Sequence, residues 1–212
     1  ICPPAPYYAQ LHEELQGTKI LLGGQNVSEH AEGAFTGEVS VAMLQDFACT
    51  HVLVGHSERR HQYGECDEVV AKKFMRAQRA GLIPILCVGE GSRDNERGEV
   101  QSALDKQLDA VFSHQKANRL GPCVISYEPL WAIGTGKVAR PEVIQAVHAY
   151  IRAKLSFFDA VAASNTLIIY GGSVKPANAA PIFAMPDVDG ALVGGASLDA
   201  EDFLEICRLA SF

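Results

Sequence analysis

The chain has 212 residues, 48% hydrophobic and 20% charged, with 25 acidic against 18 basic side chains and a formal net charge of −7. That length suits a single α/β domain spanning 1–212, and the apolar share excludes a disordered chain. The acidic balance is the wrong sign for a phosphate-backbone binder, so nucleic acid is not an expected partner.

Residues 1–2 read as the stub of a strand, followed by an amphipathic helix over 7–15. Short β-branched runs bounded by Gly or Pro then alternate with helical periodicity to the end of the chain. Strands are expected at 19–23, 51–54, 83–88, 124–127, 167–170 and 191–193. Between them the spacing predicts helices over 41–47, 68–80, 100–113, 141–155, 177–183 and 200–209. Pro141 suits a first helical turn, and Ser197 and Asp199 are candidate caps. The run of βα units implies a parallel sheet covered by helices.

No Gly-x-Gly-x-x-Gly turn follows an early strand, which argues against a dinucleotide fold and for a (β/α)8 barrel. Such a barrel takes about 31 residues per unit, and seven units are legible. The first βα unit is therefore expected to precede Ile1, in about 30–40 further residues, because strand number and closure are linked. The six cysteines, Cys2, Cys49, Cys66, Cys87, Cys123 and Cys207, form no Cys-x-x-Cys pair and no metal-ligand spacing. They point to a reduced, cytoplasmic setting. The longest apolar stretch, 81–88, is broken by Pro84 and is far too short to span a bilayer, so no membrane partner is expected.

In a (β/α)8 barrel the chemistry sits where strands end. After Val54 comes Gly55-His56-Ser57-Glu58-Arg59-Arg60, and after Tyr127 comes Glu128-Pro129-Leu130-Trp131-Ala132-Ile133-Gly134-Thr135-Gly136-Lys137. Gly171-Gly172-Ser173-Val174 and Gly194-Gly195-Ala196-Ser197 follow the last two strands. Glu128, between a buried strand and an apolar loop, is placed to act as a general base. His56 opens a helix, where the dipole disfavours added positive charge and suits an uncharged electrophile. That pair would abstract a proton beside a carbonyl and stabilise the enediolate. The glycine pairs offer backbone N–H groups to a phosphate. Residues 129–137 read as a hinged lid with an apolar tip at Trp131 and Ile133, excluding water from the intermediate. No motif requires a cofactor or a metal.

These motifs, with Gly24-Gln25-Asn26-Val27-Ser28, Gly33-Ala34-Phe35-Thr36-Gly37-Glu38 and Cys87-Val88-Gly89-Glu90, make the chain resemble the triosephosphate isomerase family over its whole length. The resemblance implies interconversion of dihydroxyacetone phosphate and D-glyceraldehyde 3-phosphate in glycolysis and gluconeogenesis, without cofactor. It assigns proton shuttling to Glu128 and carbonyl polarisation to His56. It gives phosphate binding to Gly134, Ser173, Gly194 and Gly195, and supporting roles to Ser57, Glu58 and Cys87, with Glu58 pairing a lysine. The family's Asn-x-Lys motif at the end of its first strand has no counterpart in this sequence, and Lys19, Lys137 and Lys175 lie in other units. Leu130 stands where Val is commoner in the family. Members are homodimers whose third βα loop, here residues 25–38, enters the partner, with Thr36 at its tip.

Two rival readings have different support. An epimerase of pentose phosphates would want a metal or paired Asp residues at the strand ends, and neither is evident. A scaffold that keeps the fold without turnover is supported by the absent lysine motif alone.

Overall fold

The computed structural model describes residues 1–113, 120–133 and 138–210. Among the described residues five strands alternate with helices: β1 (Gly23–Gly24), β2 (His51–Val54), β3 (Ile83–Val88), β4 (Val124–Tyr127) and β5 (Leu167–Tyr170), with β1–β2, β2–β3 and β4–β5 paired in parallel. The chain divides into two compact units, Ile1–Leu86 with Gly121–Cys123, and Cys87–Leu120 with Val124–Phe212.

In the first unit β1 pairs with β2 through Gly23↔His51 and Gly24↔Val52, and β2 pairs with β3 from His51↔Ile83 to Val54↔Leu86. The strand expected over 19–23 shrinks to Gly23–Gly24. Ile20 and Leu21 are half exposed, so the apolar run that suggested a buried strand lies at the surface before the ladder begins. The amide of Gly23 donates to the carbonyl of Ile1 at 2.9 Å, which ties the chain's first residue to this segment. Helix α1 (Tyr8–Glu14) and α2 (Val41–Asp46) follow the expected positions, and Ser40 caps α2 by accepting from the Met43 amide. The short α3 (Ser57–Gln62) leads into α4 (Asp67–Arg79). Val70, Phe74 and Ala77 recur every three or four residues along α4 and are fully buried. Each fully buried Val or Phe of this kind contributes about 1.5–3 kcal/mol.

The second unit holds β4 and β5 in register from Val124↔Leu167 to Tyr127↔Tyr170. The strand expected over 191–193 is a single parallel bridge between Tyr170 and Ala191, because the chain turns at once into the 3-10 turn Gly195–Leu198. Helices α5 (Ser92–Arg97), α6 (Val100–Phe112), α7 (Pro141–Phe158), α8 (Ala160–Asn165), α9 (Pro176–Phe183) and α10 (Ala200–Leu209) complete it. Pro141 does occupy the first turn of α7, and Asp199 caps α10 by accepting from Glu201 and Asp202. Ser197 is no cap: its hydroxyl donates to the Gly194 carbonyl within the 3-10 turn. Buried Ile144, His148, Ile151 and Leu155 form one face of α7. Arg152 on the same helix joins the segments around it, donating to Asp187, Asp189 and the carbonyls of Ala163 and Thr166. No described helix is long and apolar enough to cross a membrane.

Candidate active site

In the first unit His56 follows β2 after one residue, Gly55, and is the N-cap of α3. Its Nδ1 accepts from the Glu58 amide at 3.3 Å, which leaves the ring hydrogen on Nε2. Sequence reasoning placed the imidazole at a helix start, and the structure adds that its own ring closes the helix. Ser57 is buried as the first helical residue, whereas the Glu58 carboxylate is largely exposed, with Oε2 3.9 Å from His56 Nδ1. His56 lines a cavity of about 380 Å³ with Gln25, Asn26, Glu58, Arg59 and Tyr63.

Behind this cavity lies a network absent from the sequence reading. Lys73 Nζ donates to Asn26 Oδ1 at 2.9 Å and to Glu65 Oε1 at 2.5 Å, and Arg59 Nε reaches the same carboxylate oxygen at 2.5 Å. Burial works to raise the Glu65 carboxyl, but hydrogen bonds from Lys73 and Arg59 outweigh it and hold it below the usual range. Asn26 is thereby fixed from behind. The loop 25–38 rises beyond it, anchored by the Ser28 amide on the Val39 carbonyl and by Lys72 on Glu29. The His30 and Phe35 rings stack at 3.7 Å within it, and Thr36 is exposed at its tip.

In the second unit Glu128 follows β4 and is 1% exposed. Its amide donates to the Val88 carbonyl at 2.7 Å, joining it to the end of β3. Gly89 permits this approach, since a Cβ there would stand 1.8 Å from the Glu128 carbonyl oxygen. Cys87 is buried on β3 just before. Ser173 lies past the end of β5, where its carbonyl accepts from Asn178. Gly194 and Gly195 are exposed at the start of a 3-10 turn, and a Cβ on either would meet nothing within 4 Å. Gly134, expected at the phosphate, lies outside the described residues.

Two residues in this unit were missed. Glu90 is buried, and its Oε1 accepts from the Tyr127 hydroxyl at 3.0 Å and the Trp131 indole at 2.6 Å, while its carbonyl takes the Leu130 amide. Burial pushes the Glu90 carboxyl up in spite of these donors. Trp131 is therefore not the free apolar tip that its loop suggested. It is tied down within the 3-10 turn Leu130–Ala132. The second is Ser126, wholly buried, with no partner for its hydroxyl among the described residues. Such a group costs about 1–3 kcal/mol unless something completes it. Its signal in the sequence was parity: it stands two positions before Glu128 on an alternating strand.

A buried carboxylate at one strand end, a helix-capping imidazole just past another and exposed glycines beyond a third define an α/β enzyme of the (β/α)8 class. A profile of the Triosephosphate isomerase family matches residues 1–210. Among similar proteins, the triosephosphate isomerase of Thiobacillus denitrificans is 56% identical over 211 residues, covering 100% of this chain and 85% of that protein. Those of Herminiimonas arsenicoxydans and Nitrosomonas eutropha are 53% and 51% identical over 210 residues, each covering 99% of this chain and 85% and 83% of their own. The chain belongs to the triosephosphate isomerase family.

Proposed function

We propose that the protein interconverts dihydroxyacetone phosphate and D-glyceraldehyde 3-phosphate by proton transfer through an enediolate, in glycolysis and gluconeogenesis, without a cofactor. The observation that carries this reading is the family match over residues 1–210. The buried strand-end position of Glu128 supports its role as the base that moves the proton between the two carbons. His56, with its ring hydrogen on Nε2, donates to the carbonyl oxygen and stabilises the developing charge. Backbone amides at Gly134, Ser173, Gly194 and Gly195 hold the phosphate. Ser57, Glu58 and Cys87 support the site, with Cys87 packing beneath it.

The chain 1–212 acts as a single domain and works as a cytoplasmic C2 homodimer, with the loop carrying Thr36 seated on the partner. The test is a coupled assay of glyceraldehyde 3-phosphate conversion by the purified protein, run beside Glu128→Gln. Rapid turnover by the parent and a loss of several orders of magnitude in the variant are expected. An active Glu128→Gln protein would end the assignment of Glu128, and an inactive parent would end the functional reading.

A further inference from the structure

We propose that Ser126 is a positioning residue for Glu128, its hydroxyl supplying, through one enclosed water, the hydrogen bond that aims the carboxylate. The inference rests on reading Glu128 as the base. Ser126 and Glu128 stand two residues apart at the end of β4, so their side chains leave the strand on the same side. One neighbour reports how near they come. A Cβ built on Gly171 would lie 2.6 Å from Ser126 Oγ and 2.7 Å from Glu128 Cγ, so both side chains crowd the bare face of this one glycine.

The crowding is held in place by the backbone. The Gly171 amide donates to the Tyr127 carbonyl at 2.7 Å, and β4 and β5 pair in register up to Tyr127↔Tyr170 immediately before it. A residue larger than glycine would intrude between the hydroxyl and the carboxylate stem. Ser126 is 0% exposed, and its Oγ has no hydrogen-bond partner among the described residues. Buried hydroxyls in folded proteins are almost always satisfied by protein or by ordered water. Here the strong acceptor sharing the same glycine is the carboxylate of Glu128.

A carboxylate acting as a base presents one oxygen to the carbon acid while rotation about its last bond spoils the aim. A donor to the other oxygen removes that freedom, and small losses of alignment are expensive in rate.

The experiment compares Ser126→Ala, Ser126→Cys and Glu128→Gln with the parent in steady-state kinetics, using substrate carrying hydrogen or deuterium at the transferred position. Ser126→Ala should lower kcat about tenfold with KM changed less than about twofold, and its isotope effect should rise as proton transfer becomes slower. Ser126→Cys, which restores bulk but donates weakly, should stay impaired and carries the test if the alanine variant does not fold. Parent-like kcat and isotope effect in Ser126→Ala, or full recovery in Ser126→Cys, would overturn the proposal. If Glu128→Gln is inactive in that same series, the base assignment survives and only Ser126 is dismissed. An active Glu128→Gln would instead dismiss the base.

Discussion

His56 does two jobs that substitution can separate. As N-cap it accepts from the Glu58 amide, and Asn is among the best residues for that task. His56→Asn should therefore melt within about 1 kcal/mol of the parent. It should nevertheless lose about 10²–10³ in kcat, because the Nε2 donor is gone. Urea denaturation and initial rates on one preparation check both halves. His148 poses a different question. It is wholly buried on α7, its Nδ1 meets the Asp187 carbonyl at 2.9 Å and its ring edge packs on Tyr127. Burial lowers its pKa to about 4 from the model-compound 6.5. As pH falls, the unfolded chain takes up the proton first. The contribution of the neutral ring is complete above about 6.5 and is lost progressively towards 4, up to about 3 kcal/mol. His148→Gln should flatten the stability profile between pH 6.5 and 4, measured as urea midpoints; an unchanged acid slope would count against this account.

At the scale of elements, β2, β3, β4 and β5 coincide with the runs read from sequence, because each is a short β-branched stretch bounded by Gly or Pro. The first and last expected strands are much reduced. The run at 19–22 is just as apolar, but hydropathy does not record which carbonyls find a partner strand, and Ile20 and Leu21 stay half exposed. The short α5 and α8 were illegible as separate elements, being a turn or two long and too brief for a periodicity, whereas α3 was read only by its start at His56-Ser57. Glu128 and His56 stood out in the sequence because they lie one and two residues past strand ends. Glu90 and Ser126 could not, since their significance lies in contacts with residues distant in sequence, such as Tyr127 and Gly171. Glu90 shows what such contacts are worth. Glu90→Ala should strand the Tyr127 hydroxyl and the Trp131 indole together and cost about 2 kcal/mol or more, read as a fall in denaturation midpoint.

For the whole molecule, the proposed dimer makes a sharp prediction. Light scattering at micromolar concentration should report twice the intact mass of one chain measured on the same preparation. Thr36→Trp at the exposed loop tip should shift the protein towards monomer and depress activity in step with dissociation, whereas an active, fully dimeric variant would remove this loop from the interface. Its stacked His30 and Phe35 rings, the Ser28 amide on the Val39 carbonyl and the ion pair from Lys72 to Glu29 help hold the form of the loop.

One earlier detail has a practical value. Trp131, three residues after Glu128, is the only tryptophan among these 212 residues, and its indole donates to the buried carboxylate of Glu90. Indole emission depends on hydrogen bonding and solvent contact, and with excitation at the red edge of the absorption band, where the six tyrosines contribute little, the emission of these 212 residues arises from this one side chain. Titrating substrate analogues into unlabelled protein would therefore give a spectrum in which any change belongs to this segment, with no probe to attach and no competing fluorophore of its kind to subtract.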